Sequence, residues 1–196
     1  MNNNLKSAIY NTRGFTLLEL LISISIFVLV MLTVYSLFSL GQRAYRRGGE
    51  EMEIWQNART SLDRMTREIR QAENIVTVLP PSETDPLNPP VNELQFQDGH
   101  DNTEIIYIRY YLDGTDLMRQ RLGYYFPDTP AVYVKWDSLD SFGNPPQQEV
   151  FENRIVGEYF TDVDFWKNNN LINVIVHLSK NNRVIHLMTA AYGRNL

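Results

Sequence analysis

No cysteine occurs among the 196 residues. That excludes disulfide staples, thiolate-held zinc, iron–sulfur clusters and thiol nucleophiles together, and it leaves the redox compartment open. Histidine is scarce, at three. There is no Gly-x-Ser-x-Gly, no phosphate-binding loop, no Gly-x-Gly-x-x-Gly and no His-Glu-x-x-His. A basic excess is missing too: the formal net charge is −5 and the pI about 5.2. Phosphate-driven nucleic-acid binding is therefore not expected. Internal repeats and low-complexity tracts are absent. The mean hydropathy of −0.31 excludes a multi-span membrane protein, and 43% hydrophobic with 21% charged residues is globular composition.

The most informative absence is local. From Leu20 to Gln42 there is no charged residue, and the apolar run Phe15–Leu40 is 26 residues long, broken only by Glu19. As a helix it spans about 39 Å, enough for the hydrocarbon core of a bilayer. A cleaved secretory signal is the competing reading, and Ser39-Leu40-Gly41 mimics its cleavage site. The run is too long for a signal core of about 7–15 residues, and an acid at its start does not suit one. Glu19 is costly in hydrocarbon and is a functional candidate by default; the alternative is that it reaches back to the headgroups. Charge does not orient the span. Lys6 and Arg13 precede it, but Arg43, Arg46 and Arg47 follow it.

Beyond the span the helical pattern continues. Gly48-Gly49 is a weak point, where a kink or local melting is expected. Glu50, Glu51 and Glu53 then suit a restarted helix. Trp55, Ala58, Leu62, Met65, Ile69 and Ala72 form an apolar stripe at helical spacing, to be packed on the chain's own sheet or, alternatively, on another chain. Arg59/Asp63, Asp63/Arg67 and Arg64/Glu68 are four apart and read as surface ion pairs on a solvated face.

After Ala72 the period becomes that of strands. Expected strands are 75–79, 94–97, 105–112, 117–122, 133–136, 163–166 and a closing hairpin. Residues 80–90, with five of the nine prolines, read as an irregular loop, and 123–154 as loop-rich. Asp113-Gly114 marks one hairpin. In the last hairpin, Asn181-Asn182 as the turn sets Leu178 opposite Ile185 and Val176 opposite Leu187, with the apolar faces in agreement.

Candidate chemistry is thin. That register makes His177 and His186 cross-strand neighbours on the solvent face, but no third metal ligand is apparent. Asp98, His100, Asp101, Asn102 and Glu104 are oxygen-rich, yet match no EF-hand spacing. The aromatics around Tyr107, Tyr110, Tyr111, Tyr124, Tyr125 and Phe126 lack basic interleaving and read as packing. No catalytic residue, metal or cofactor is assigned.

Arg13-Gly14-Phe15-Thr16-Leu17-Leu18-Glu19, followed by a long apolar helix, resembles the prepilin leader of type IV pilins and type II secretion pseudopilins. The resemblance implies cleavage between Gly14 and Phe15 by a prepilin peptidase on the cytoplasmic side, and N-methylation of Phe15. It implies that Glu19 pairs with the N-terminal amine of a neighbouring subunit during assembly. It implies an α+β pilin-like fold: leader 1–14, transmembrane helix 15–42, amphipathic helix 43–73 and antiparallel β head 74–196. The large head and the stretch from Arg59 to Ala72 resemble J-type minor pseudopilins and W-type minor pilins, and the closing Thr189–Asn195 is similar to minor pilin C-termini. The implied role is to initiate or cap a type II secretion pseudopilus. Implied partners are other minor and major pilins or pseudopilins, the prepilin peptidase, the inner-membrane assembly platform and membrane lipid. The implied location is a single-pass inner-membrane protein with a cytoplasmic N-terminus and an external head. The alternatives are a minor pilin of a type IV pilus or DNA-uptake machine and, in a different class, a single-span anchored enzyme or binding protein.

Overall fold

The computed structural model describes residues 14–100 and 104–193. Among these residues one helix, α1 (Leu17–Gln71), is followed by nine strands: β1 (Asn74–Ile75), β2 (Leu94–Gln97), β3 (Ile106–Asp113), β4 (Asp116–Tyr125), β5 (Tyr133–Val134), β6 (Gln147–Gly157), β7 (Phe160–Asn168), β8 (Leu171–Lys180) and β9 (Arg183–Tyr192). The fold is α+β and pilin-like, with every strand pairing antiparallel. The chain divides into two compact units between Gly48 and Gly49.

The expected weak point does not interrupt the helix. α1 runs through Gly48-Gly49 without a break. The helix penalty of two glycines, about 1 kcal/mol each, is small beside the cooperativity of a 55-residue helix.

In the second unit, α1 buries Ile54, Ala58, Ser61, Leu62, Met65 and Ile69. The stripe therefore starts at Ile54, fully buried, and not at Trp55, which is 37% exposed. Both fit a spacing of three or four to Ala58, so period alone could not choose between them. The stripe joins Phe96, Ile108, Tyr110 and Leu117 of one sheet, and Phe160, Val163, Phe165, Ile172, Val174 and Val176 of the other, in a single core. Gly157 lets the helix approach: a Cβ there would lie 2.4 Å from Ser61 Oγ, whose hydroxyl donates to Val156 O at 3.0 Å.

The larger sheet has the order β1-β2-β3-β4-β5, with β6 also on β4; the smaller is β7-β8-β9. Only Asn74–Ile75 of the expected 75–79 strand forms a ladder. Past it, the Val76 and Thr77 amides both bond Gln95 O, which ends the regular pairing. β2 is buried on both faces, not on alternate residues. Its two glutamines are satisfied inside: Gln95 Nε2 donates to Tyr124 Oη at 2.8 Å and Gln97 Nε2 to Glu73 Oε2 at 2.7 Å. β6 lies in the region read as loop. It is a long edge strand, mostly exposed, whose sequence Gln-Gln-Glu-Val-Phe-Glu-Asn-Arg-Ile-Val-Gly carries no clean alternation.

The closing hairpin follows the expected register, with Leu178 opposite Ile185 and Val176 opposite Leu187. Asn181 and Asn182 take φ of +49° and +64°, the left-handed pair of a two-residue hairpin turn that asparagine tolerates.

Candidate assembly helix and its clamp to the head

The first unit holds the residues singled out from the leader. Gly14, Phe15 and Thr16 precede the helix, and Phe15 is 81% exposed. Lys6 and Arg13 lie outside the described residues.

Thr16 caps α1. Its Oγ1 accepts from Glu19 N at 3.2 Å, while Glu19 Oε2 accepts from Thr16 N at 2.9 Å and from Thr16 Oγ1 at 3.0 Å. This is a reciprocal capping box, Thr-x-x-Glu, which satisfies two of the amides every helix start leaves bare. Sequence reading missed this second use of Glu19, although the Thr16-x-x-Glu19 spacing carried the signal. Both bonds fall on Oε2; no bond to Oε1 is seen among the described residues.

From Leu17 to Leu40 the large apolar side chains are exposed, most of them more than half. The most apolar 18-residue window has a mean hydropathy of 2.7 and no buried residue. Four hydroxyls along this stretch turn inward. Ser23, Ser25, Thr33 and Ser36 each donate to the carbonyl four residues back, at 2.7–2.9 Å. These side chains thus present no bare donor to hydrocarbon, where an unsatisfied polar group costs several kcal/mol. The arrangement fits a helix whose surroundings are lipid or other helices.

In the second unit, charged groups fix the helix to the sheets. Glu68 accepts from Tyr110 Oη at 2.6 Å and from Arg119 Nε at 3.0 Å, and Arg64 reaches it at 3.3 Å. Arg119 is 8% exposed at its side chain and also contacts Glu152 at 3.2 Å. Burial opposes its charge, but the adjoining Glu68 carboxylate outweighs burial and holds its pKa above the ordinary value. Burial first, and then Glu68, push the Tyr110 phenol far up, so it stays a donor. The face read as solvated therefore contains an ionic pin. Arg64/Glu68 is an ion pair; Arg59/Asp63 and Asp63/Arg67 form none among the described residues.

A second clamp sits nearer the start of this unit. Lys180 Nζ contacts Glu53 Oε2 at 2.6 Å, and Tyr159 Oη donates to Glu53 Oε1 at 2.9 Å. Lys180 also lies 4.1 Å from the Tyr159 ring centroid. Hydrogen bonds from Lys180 and Tyr159 lower the Glu53 pKa, and Glu53 and Tyr159 raise that of Lys180.

His177 and His186 are cross-strand partners with ring centroids 6.1 Å apart. No three-ligand metal cluster occurs among the described residues. In the oxygen-rich stretch, Asp98 Oδ1 accepts from His100 N at 3.0 Å, closing a turn; Asp101 and Asn102 lie outside the described residues. Tyr107 and Tyr124 pack edge to face at 5.2 Å, in keeping with the packing role expected of the aromatics.

The family described as the prokaryotic N-terminal methylation motif matches residues 9–35. Its span covers Gly14, Phe15, Glu19 and most of the apolar run. The family is generally structural rather than enzymatic, and implies assembly with other pilins and processing by a prepilin peptidase. The motif and the long apolar helix together indicate single-pass membrane anchoring. No curated protein and no solved structure matches the chain.

Proposed function

We propose that this chain, identified with the type IV pilin and pseudopilin superfamily by its methylation motif, is a minor subunit that helps initiate or cap a type II secretion pseudopilus. The observation that carries the reading is the Gly14–Glu19 string running directly into a helix whose apolar surface has no covering among the described residues of its own unit. A plain membrane anchor has no reason to contain that string. In this reading residues 1–14 are the cleaved leader, 15–42 the membrane helix, 43–73 its amphipathic continuation and 74–196 the external head. The prepilin peptidase cuts between Gly14 and Phe15 and methylates the Phe15 amine. Glu19 then meets the amine of a neighbouring subunit, two charges that offset each other's desolvation across an interface and fix the register of an otherwise slippery apolar seam.

The J-type subtype rests on the helix stretch Arg59–Ala72 and the size of the head. A minor pilin of a type IV pilus or DNA-uptake machine is the second reading, supported by the same stretch. The anchored-enzyme reading has no catalytic constellation behind it, and the subunit is taken as non-enzymatic.

Coexpression with a prepilin peptidase, followed by mass analysis of the N-terminus, tests the processing step. The wild-type chain should begin at methylated Phe15, and Gly14→Leu should remain uncut. A mature chain starting at any other residue overturns the assignment. Glu19→Ala should preserve cleavage and insertion but reduce recovery with neighbouring pilins from membranes.

A further inference from the structure

On the head, the proline-rich segment forms one wall of a cleft whose floor is β7. The cavity measures about 710 Å³ and is lined by Val78, Leu79, Pro80, Pro81, Leu87 and Pro90, among others, with Asp162 and Asp164 at its base. This volume lies within the range of sites that take small ligands or a few residues of peptide.

The wall is held in place at both legs. Lys167 N donates to Pro80 O at 2.8 Å, and Val91 and Phe165 exchange two main-chain bonds of 3.1 and 2.8 Å. At its apex Asp85 accepts from Leu87 N at 2.9 Å and from Asn88 Nδ2 at 3.0 Å. Little ordering is left to be done on binding, which favours affinity.

The chemistry of the lining is one-sided. Its prolines have no N–H to offer. The amides of Leu87, Asn88 and Val91 already have acceptors. What remains is apolar surface, the two carboxylates and the side-chain amides of Asn88 and Asn92. Val78 and Leu87 are each 88% exposed, with nothing covering them. Asp162 and Asp164 project from the same face of β7, opposite the buried Val163 and Phe165. Asp162 Oδ1 accepts from Val163 N at 2.9 Å. The nearest cation for Asp164 is His177, Nε2 at 4.0 Å, charged only when protonated. Burial, then repulsion from Asp162, raise the Asp164 pKa, and Glu83 adds to that. This side of the cleft thus concentrates negative charge without a permanent positive partner at contact distance among the described residues, beside walls that suit hydrocarbon.

We propose that this cleft binds a lysine or arginine side chain of a partner polypeptide, the cation against Asp162 and Asp164 and its apolar flanking residues against the proline wall. A cationic head on an aliphatic stem has the two characters this lining presents. An anion would meet two carboxylates, and a neutral apolar segment would leave them facing hydrocarbon. The site belongs to the head, and the inference is independent of which filament the subunit serves.

Binding is tested on the full chain in detergent micelles by amide chemical shifts, titrating capped Leu-Lys-Leu, Leu-Arg-Leu and Leu-norleucine-Leu peptides. The basic peptides should shift Val91, Asp164 and Phe165 and bind about tenfold or more tightly than the norleucine peptide. The Asp162→Asn/Asp164→Asn variant should lose that preference while keeping its weak affinity for norleucine. Leu87→Ser should weaken all three peptides alike, and Asp113→Asn none. Equal binding of the lysine and norleucine peptides, a preference that survives in the double variant, or no shift with any peptide overturns the proposal. Butylammonium shifting the same amides as strongly as the lysine peptide also overturns it, since the cleft would then recognise a small amine.

Discussion

One helix obeys two solvents. Up to Leu40, α1 turns apolar side chains outward on all sides and folds four of its hydroxyls back onto its own carbonyls. From Ile54 onward it buries a single stripe and commits Glu53 and Glu68 to partners on the strands. Backbone geometry is the same in both halves; what differs is where each side chain finds its lowest free energy. The first half leaves the satisfaction of its apolar surface to other molecules, whereas the second satisfies its own within the head.

That contrast can be broken most strongly at the ionic pin. Arg119→Met leaves the mostly buried Glu68 carboxylate with Arg64, at 3.3 Å and at the edge of the pin, as its remaining cation. It should destabilise the head by about 3 kcal/mol, with part recovered when Glu68→Gln is added. Thermal unfolding of both variants in micelles measures it; equal melting of single variant and wild type would mean that the pin is solvated. Next comes the core stripe. Met65→Ala should cost about 2–5 kcal/mol through the cavity it leaves. Leu29→Ala, in the exposed half, should leave head unfolding unchanged.

A smaller effect is expected at the start of α1. Thr16→Ala removes half of the capping box and should destabilise the first turn by about 1 kcal/mol. Hydrogen exchange at Leu17–Leu20 should quicken, with head melting unaltered.

The smallest effect sharpens the comparison through pH. Glu53 has a depressed pKa, so its contribution is present above the ordinary glutamate pKa and is lost as pH falls through the depressed folded value. Lys180 has a raised pKa, so its contribution is complete below the ordinary lysine pKa and is lost as pH rises through the raised folded value. The Glu53–Lys180 clamp should therefore hold between those limits and loosen outside them. Glu53→Gln should flatten both edges of that pH profile when Tyr159 fluorescence is followed.

The sequence exposed these features unevenly. The closing hairpin was readable to the residue, because apolar alternation and a paired-asparagine turn specify the same register. The helix was readable as helix, but its inward face was misread by one residue, since Ile54 and Trp55 both satisfy the period. β6 was invisible. As an exposed edge it has no buried face to impose alternation, and its pairing with β4 is a long-range choice. Glu68 reads as surface charge in the sequence, because its partners Tyr110 and Arg119 lie 42 and 51 residues away. At the N-terminus, Gly14, Phe15 and Glu19 stood out as a string, while the bond between Thr16 and Glu19 needed coordinates to be seen.

The capping box bears on how a protease can reach this chain. Proteases bind their substrates extended, and a bond inside a helix must be unwound before it can be cut. Here α1 begins at Leu17 and its cap is Thr16, so the proposed Gly14–Phe15 bond lies outside the hydrogen-bonded ladder of α1. A cut there would break no hydrogen bond of α1. The capping side chains Thr16 and Glu19 both stay on the product, so the helix would keep its cap through the cut.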